Sequence, residues 1–428
     1  MAGLLQHKSM ECENIVWLEA LRQQGKELFS NAGIPSPQTE AWKYTKLRSL
    51  ITDDFEFPSE QDISCDCGCH EHHDACNCAC HNCTLPFDVY TFKFHNGTFC
   101  PPHPQLPKGV EVMTLLEAVQ IYDEAKSKLN KLAYLEKYPF AALNTAYLEE
   151  GLFILVHRDT QLDKPLFVDV LTCPEGRNLF YNLRNLIIVE NGAKAEIIER
   201  FRYHGEEKSR YFVNIVNEIY VGRDACLKHY KLQEDAYKAC HLSVTFAQVK
   251  ARGCYENLCL QKGADIGRNE VVVKLVEPEA FAEIDAAYKM SGWATLDTTT
   301  DIQHLCSYTK SEQLVKGVVG GDAKGVFQGR IHIAPDAQHT EGHQLHRALL
   351  LSDRAEIDVK PELEIFADDV KCSHGAASGE LDEEQLFYMR SRGISEEDAR
   401  QILVEAFLDD VLMRASSTTI QAWLKEHI

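Results

Sequence analysis

The sequence predicts a mainly β protein in which a long series of strands is flanked by helical segments at both ends. From Leu152 to about residue 370, short segments rich in β-branched and aromatic residues alternate with turn residues, and helical periodicity is nearly absent. A polar turn followed by a small residue recurs there about every 26 to 30 residues where the series is unbroken. This period fits the coils of a solenoid, in which each strand protects the edge of the next. A β-sandwich is the alternative that the strand pattern leaves open.

The repeated turns place the coils along the chain. They lie at residues 191–195, 221–225, 250–254, 277–280, 324–326 and 353–355. The interval between the fourth and fifth turns is longer than the others, so the series is broken once. We expect a β region over residues 151–375.

The chain before this region predicts a mostly helical N-terminal domain over residues 1–150. Ile15, Leu18, Leu21 and Leu28 recur at roughly helical spacing within residues 10–50. A short strand is expected at residues 89–94, and helices are expected at residues 115–138 and 139–150.

Composition and charge exclude several classes of function. The formal net charge of −21 argues against nucleic-acid binding, which depends on cationic side chains. We find no apolar run long enough for a membrane span and no signal peptide, which predicts a cytoplasmic protein without a membrane partner. Its 16 cysteines are therefore expected to be reduced thiols or metal ligands.

Residues 65–83 form an insertion with an unusual density of potential metal ligands. Seven cysteines and four histidines occur in this segment, more than a hydrophobic core requires. The candidate ligands are Cys65, Cys67, Cys69, His70, Cys76, Cys78, Cys80 and Cys83. Thiolate with imidazole selects zinc, copper(I) or iron-sulfur species, with zinc as one candidate. Adventitious metal scavenging by a surface loop is the alternative.

A second candidate site follows the last predicted strand of the β region. Cys372 and His374 are two residues apart, so an extended chain places both side chains on one face, where they could share an ion. We expect the strand ending near Val370 to lead into a Cys-His turn. A buried cysteine that serves only in packing is the alternative for Cys372.

Two amphipathic helices are predicted within the C-terminal domain, residues 376–428. Asp382 and Gln385 have the spacing of a capping box, Gly393 is placed to end the first helix, and Ser395 with Asp398 opens the second. The second helix carries an apolar face from Ala399 to Phe407.

Residues 368–375, DDVKCSHG, and residues 381–394, LDEEQLFYMRSRGI, resemble the SufD family, subunits of the Suf iron-sulfur cluster assembly machinery. Similar resemblances lie at residues 42–45, 349–352 and 360–365, so the similarity covers most of the chain outside residues 60–84. The resemblance implies a right-handed parallel β-helix over the β region. It also implies a non-catalytic scaffold subunit.

The resemblance further implies two protein partners. A SufB-like paralogue would pair with the late strands, and a SufC-like ATPase would dock on the C-terminal helices, where the candidate contacts are Phe387, Arg390, Arg392, Ile402 and Phe407. Cys372 and His374 would then handle iron or a transient iron-sulfur cluster at the interface between subunits. A reduced flavin in the complex and a homodimer without the SufB-like partner are left open.

Two other functions are weighed against this one. A carbohydrate-active β-helix enzyme needs convergent carboxylates, and adjacent Asp368 and Asp369 would face opposite sides of a strand. A metal-storage or metal-sensing protein would depend on residues 65–83. His304, His332, His339, His343 and His346 are interpreted as surface or ladder residues, with a shared metal site as the alternative.

Overall fold

The computed structural model describes residues 16–59, 85–101, 104–174, 176–205 and 210–428. Its helices are α1 (Val16–Ala32), α2 (Arg48–Thr52), α3 (Leu115–Ile121), α4 (Asp123–Lys128), α5 (Pro139–Ala146), α6 (Glu383–Ser391), α7 (Glu396–Leu412) and α8 (Thr418–Lys425), with a 3₁₀ turn at Glu40–Trp42. The early strands are β1 (Tyr90–His95), β2 (Thr98–Cys100), β3 (Val110–Thr114), β4 (Leu152–Val156), β5 (Leu166–Thr172), β6 (Leu179–Val189), β7 (Lys194–Tyr203), β8 (Tyr211–Val221), β9 (Cys226–Glu234) and β10 (Cys240–Val249). The later strands are β11 (Cys254–Lys262), β12 (Ile266–Leu275), β13 (Phe281–Met290), β14 (Thr295–His304), β15 (Lys310–Val319), β16 (Lys324–Ile333), β17 (Thr340–Leu350), β18 (Glu356–Ile365) and β19 (Val370–Gly379).

The strands alternate between two sheets, as expected for a solenoid. From β4 onward, even-numbered strands add to one sheet and odd-numbered strands add to the other, and every neighbouring pair is parallel. The chain therefore winds through about eight coils. This arrangement confirms the predicted parallel β-helix, and it excludes a β-sandwich.

The repeated turns identified in the sequence begin alternate strands. The first four turns precede β7, β9, β11 and β13 in one sheet, whereas the last two precede β16 and β18 in the other sheet. The series is therefore broken because the turn pattern changes from one side of the coil to the other.

The N-terminal part contributes strands as well as helices. β1 pairs in parallel with β5, and β3 pairs antiparallel with β4, so both sheets begin before residue 151. The expected helix over residues 115–138 is instead two short helices, α3 and α4, followed by a non-helical connection. Asn130, with φ of 61°, lies in that connection and ends the helical path.

Helices cover the outer faces of the two sheets. The buried side chains of α5 pack against the even-numbered strands, in a cluster that includes Phe180, Phe212 and Phe246 of those strands. The C-terminal helices pack on the odd-numbered strands through a cluster that includes Leu232, Leu258 and Trp423. Within the described ranges, no helix is long and apolar enough to cross a membrane.

The Trp-Lys-Tyr-Thr motif of the N-terminal part anchors that part to the solenoid. The Trp42 ring lies 4.3 Å from the guanidinium of Arg268, and the Thr45 hydroxyl donates a hydrogen bond to Asp297. Arg268 is buried and also donates to Asp297, with 2.6 Å between Nη1 and Oδ2. This motif therefore has a structural role on the even-numbered sheet.

A buried ion pair provides a second anchor. The side chains of Arg184 and Glu218 are 1% and 0% exposed, and their Nη2 and Oε1 atoms are 2.7 Å apart. Glu218 also accepts hydrogen bonds from the backbone N–H groups of Asn130 and Leu132. The carboxylate thus joins the N-terminal connection to β8.

We expect Glu218→Ala to lower the free energy of unfolding by about 3–5 kcal/mol, because Arg184 would remain buried without its carboxylate. Urea unfolding followed by circular dichroism measures this change. Glu136→Ala, at an exposed glutamate of the same connection, is the matched control. Equal losses in the two variants would contradict the assigned role of the ion pair.

Candidate functional site

Cys372 and His374 lie inside the last strand of the solenoid. β19 runs from Val370 to Gly379, and the bend that precedes it occupies residues 366–369. The expectation of a Cys-His turn is therefore wrong, because backbone pairing with β17 keeps this run of small residues extended. The strand that was expected to end near Val370 is β18, which already ends at Ile365.

The register of β19 determines where the two side chains point. Cys372 is opposite Gly342 and His374 is opposite Gln344 on β17. Gly342 and Gln344 are buried, and the Gln344 side chain donates a hydrogen bond to the backbone oxygen of Gly329 on the opposite sheet. Cys372 and His374 consequently share the face of β19 that is directed into the final coil.

Their environments differ. Cys372 is half-buried and packs against a small apolar cluster that includes Ile331, Ile333 and Leu363. This burial raises the pKa of the Cys372 thiol, so the thiol is protonated at neutral pH until a metal ion displaces the proton. His374 is exposed and reaches solvent at the end of the coil.

Cys372 and His374 alone could not complete a metal site. A tetrahedral centre requires four ligands, and Cys372 with His374 supplies two. A metal site can be recognised where ligand atoms of three Cys, His, Asp or Glu residues lie within 4.8 Å of one another. Among the described residues, this condition is met only by Cys226, Cys254 and Glu256. In the described part of the chain, no such group contains Cys372 or His374.

The solenoid ends in two strand edges. β18 and β19 are the terminal strands of their sheets, so each has one side without a strand partner in the described chain. Apolar side chains border this end, since Ile357, Val359 and Leu363 are half-buried and Phe366 is 61% exposed. We call the surface formed by residues 356–379 the open end.

The two edges of the open end differ in their capacity to pair. Residues 372–379 of β19 carry no charged side chain and no proline, features that normally protect an edge strand. β18 contains Pro361, which has no N–H to donate, and its outer face alternates acidic residues with Lys360. β19 is therefore the edge better suited to pairing with another chain.

The late histidines do not converge. His304 and His346 are buried, where His304 contacts the Thr309 and Ser311 hydroxyls and His346 contacts the Tyr288 hydroxyl at 2.9 Å. His332, His339 and His343 instead pair with Glu364, Asp369 and Ser373 toward the outside. His339 and His343 are exposed and His332 is half-buried, whereas His304 and His346 are buried rather than on the surface.

The C-terminal helices form at the predicted capping residues. Asp382 accepts hydrogen bonds from Glu384 N and Gln385 N at the start of α6, and the Ser395 hydroxyl accepts one from Asp398 N at the start of α7. Gly393, with φ of +89°, follows α6 in the left-handed conformation that favours glycine.

The five predicted contacts for the ATPase are in different environments. The side chains of Phe387 and Ile402 are 73% and 45% exposed, respectively. Arg390 pairs with Glu396, and the Arg392 guanidinium lies 5.2 Å from the Tyr388 ring. Phe407 instead packs on the solenoid, where Lys316 donates to its backbone oxygen. The exposed apolar surface of these helices is therefore formed by Phe387, Tyr388 and Ile402.

Two further sites concern cysteines. The candidate ligands in residues 65–83 lie outside the described residues. The sequence pattern did not indicate that Cys226 and Cys254 lie side by side, although each opens a strand directly after a repeated turn. Their equivalent positions in successive coils were the signal that could have paired them.

Comparisons with known proteins show the family of the chain. Residues 173–407 match the family described as SUF system FeS cluster assembly, SufBD core domain, and residues 5–168 match the SufBD protein N-terminal region. The chain is 29% identical over 391 residues to the iron-sulfur cluster assembly protein SufD of Escherichia coli, covering 90% of this chain and 86% of that protein.

Two other relatives are similar over large parts of the chain. The iron-sulfur cluster assembly SufBD family protein slr0076 of Synechocystis is 29% identical over 419 residues, covering 95% of this chain and 89% of that protein. Protein ABCI7, chloroplastic, of Arabidopsis thaliana is 32% identical over 295 residues, covering 68% of this chain and 62% of that protein.

Proposed function

The chain belongs to the SufBD family of iron-sulfur cluster assembly proteins, and we propose that it is a non-catalytic scaffold subunit that pairs with a SufB-like paralogue and docks a SufC-like ATPase. The observation that carries this proposal is the open end, where an uncharged strand edge lies beside an inward-facing cysteine and histidine. A surface of this kind suits a second solenoid, because parallel strands can continue across the junction.

Pairing at the open end would complete the metal site. Cys372 and His374 would supply two ligands, and the paralogue would supply the others across the junction. Iron or a nascent iron-sulfur cluster is then the cargo that the two subunits hold between them. Burial of the junction would also shield a sulfur-ligated cargo from solvent.

The ATPase would dock on α6 and α7. Phe387, Tyr388 and Ile402 provide exposed apolar side chains, and Arg390 and Arg392 lie beside them. This combination of aromatic and arginine side chains is enriched at protein interfaces. The sequence contains no Gly-x-x-x-x-Gly-Lys run, so ATP hydrolysis would be supplied by this partner.

We expect Phe387→Glu with Ile402→Glu to weaken binding of the SufC-like ATPase at least about 100-fold, because charges would enter an apolar contact. The variant should still bind the SufB-like subunit, since the open end is unchanged. Pull-down from a three-component co-expression measures both interactions. Glu397→Lys and Gln401→Lys, at exposed positions of α7, form the control. Retention of the ATPase by the variant would contradict this docking surface.

Co-expression with the SufB-like and SufC-like proteins of the same source tests the proposal as a whole. Size-exclusion chromatography should give one peak that contains all three chains. A chain that forms only a homodimer or a monomer in the presence of both partners would contradict the scaffold assignment.

A further inference from the structure

A cluster of three potential metal ligands lies on the outer face of the odd-numbered sheet. Cys226 opens β9 and Cys254 opens β11, and the two residues are direct neighbours in the parallel ladder. Glu256 lies two residues after Cys254 and therefore on the same face. The ligand atoms of the three residues all lie within 4.8 Å of one another.

The burial pattern places this cluster outside the solenoid core. Leu227 and Tyr255, which alternate with the cluster residues, belong to the buried core between the sheets. Cys226, Cys254 and Glu256 are each half-buried, so an ion could reach them from solvent. The cluster is four strands from Cys372 in the same sheet, or about 19 Å at the usual strand spacing.

A hydrogen bond already links two of the three side chains. The Cys254 thiol donates to Glu256 Oε1, with 3.3 Å between Sγ and the oxygen. Lys228 Nζ lies 3.4 Å from Oε2, the other carboxylate oxygen of Glu256. Oε1 of Glu256 therefore stays directed at Cys254.

We propose that Cys226, Cys254 and Glu256 form a zinc(II) site. Two thiolates and one carboxylate are ligands that zinc accepts in tetrahedral geometry, and the fourth position would be open to water. Sulfur atoms on one tetrahedral zinc lie about 3.8 Å apart at the usual Zn–S distance of about 2.3 Å, so only a small adjustment within the 4.8 Å cluster is needed. Binding would release two protons, one from the Cys226 thiol and one from the Cys254 thiol that now donates to Glu256.

The site would be independent of the assembly function proposed above. It borders the anchor of the C-terminal helices, because Ser416 donates its backbone N–H to the Tyr230 hydroxyl and its own hydroxyl to Glu196. Glu196 is opposite Lys228 in the ladder, next to the cluster. Zinc at this position would therefore cross-link β9 to β11 beside the turn that leads into α8.

Cysteine-resolved alkylation of the full-length chain tests the site. The reduced, metal-free protein is treated with N-ethylmaleimide in buffered zinc(II), digested, and analysed by mass spectrometry for each cysteine separately, which keeps residues 65–83 apart from the readout. We expect zinc to slow alkylation of Cys226 and Cys254 at least about tenfold. Half-buried Cys100 and Cys306 serve as internal controls and should be unaffected.

Substitution of the carboxylate adds a second comparison. Glu256→Gln should raise the zinc concentration for half-protection at least about tenfold, whereas Glu279→Gln, at an exposed glutamate, should leave it unchanged. The zinc proposal is wrong if zinc leaves the alkylation rates of Cys226 and Cys254 unchanged, or if it protects Cys100 and Cys306 as much as these two cysteines. Recovery of Cys226 and Cys254 as a disulfide would also contradict it.

A cobalt(II) titration covers the case in which both thiols resist alkylation without metal. The thiolate-to-cobalt absorption of the wild type should exceed that of Cys226→Ser with Cys254→Ser by the amount expected for one two-thiolate centre. Identical spectra for the two proteins would overturn the proposal.

Discussion

Ala376→Glu with Ala377→Glu is expected to abolish the complex with the SufB-like subunit while the chain stays folded. Both alanines are exposed on β19, at the edge that we propose pairs with the paralogue. Surface substitutions of this kind usually change folding stability by no more than about 0.5 kcal/mol. At a junction they would bury two unpaired charges, which should weaken association at least about 100-fold.

Size-exclusion chromatography of the co-expressed proteins measures this effect. The matched control is Ala20→Glu with Ala32→Glu, which adds the same charges at exposed positions of α1. Circular dichroism of the isolated chains establishes that both variants are folded. A β19 variant that still co-elutes with the paralogue would place the junction on another surface.

Cys372→Ala with His374→Ala is expected to lower the iron content of the purified complex at least about tenfold, because both ligands from this subunit would be lost. The complex itself should still assemble, since these two side chains point into the coil and the edge backbone of β19 is unchanged. Metal analysis of the complex after anaerobic purification measures the loss.

Single substitutions divide the effect between the two side chains. His374→Ala should have the larger effect, because a neutral imidazole ligates iron directly, whereas burial raises the pKa of the Cys372 thiol and it must first lose its proton. His343→Ala is the control, since His343 is an exposed histidine that contacts Ser373 on the outside of the sheet. Unchanged iron in the double variant would show that the open end has only an architectural role.

Local patterns were sufficient to predict the solenoid and the helix termini. The β-branched strands and recurring turns reflect contacts between successive coils, and such short-range repetition is visible in one sequence. The capping residues Asp382 and Ser395 act on backbone groups two or three residues away, so the helix starts were also predictable.

Long-range pairing explains what the sequence did not predict. Residues 375–379 are glycine, alanine or serine and have weak strand propensity, yet the ladder with β17 holds them extended. Whether Cys372 faces the interior depends on its register against Gly342, which no local signal specifies. Cys226 and Cys254 likewise became neighbours only when the coils were stacked.

Hydrogen-deuterium exchange of the isolated chain and of its complex with the SufB-like subunit tests whether β19 pairs with that subunit. Backbone amides of β19 are expected to exchange faster in the isolated chain and to become protected in the complex, because the unpaired edge gains hydrogen-bond partners. Amides in β8 and β10, which have strand neighbours on both sides, should be unaffected. Unchanged exchange in β19, with new protection on another surface, would contradict pairing through the open end.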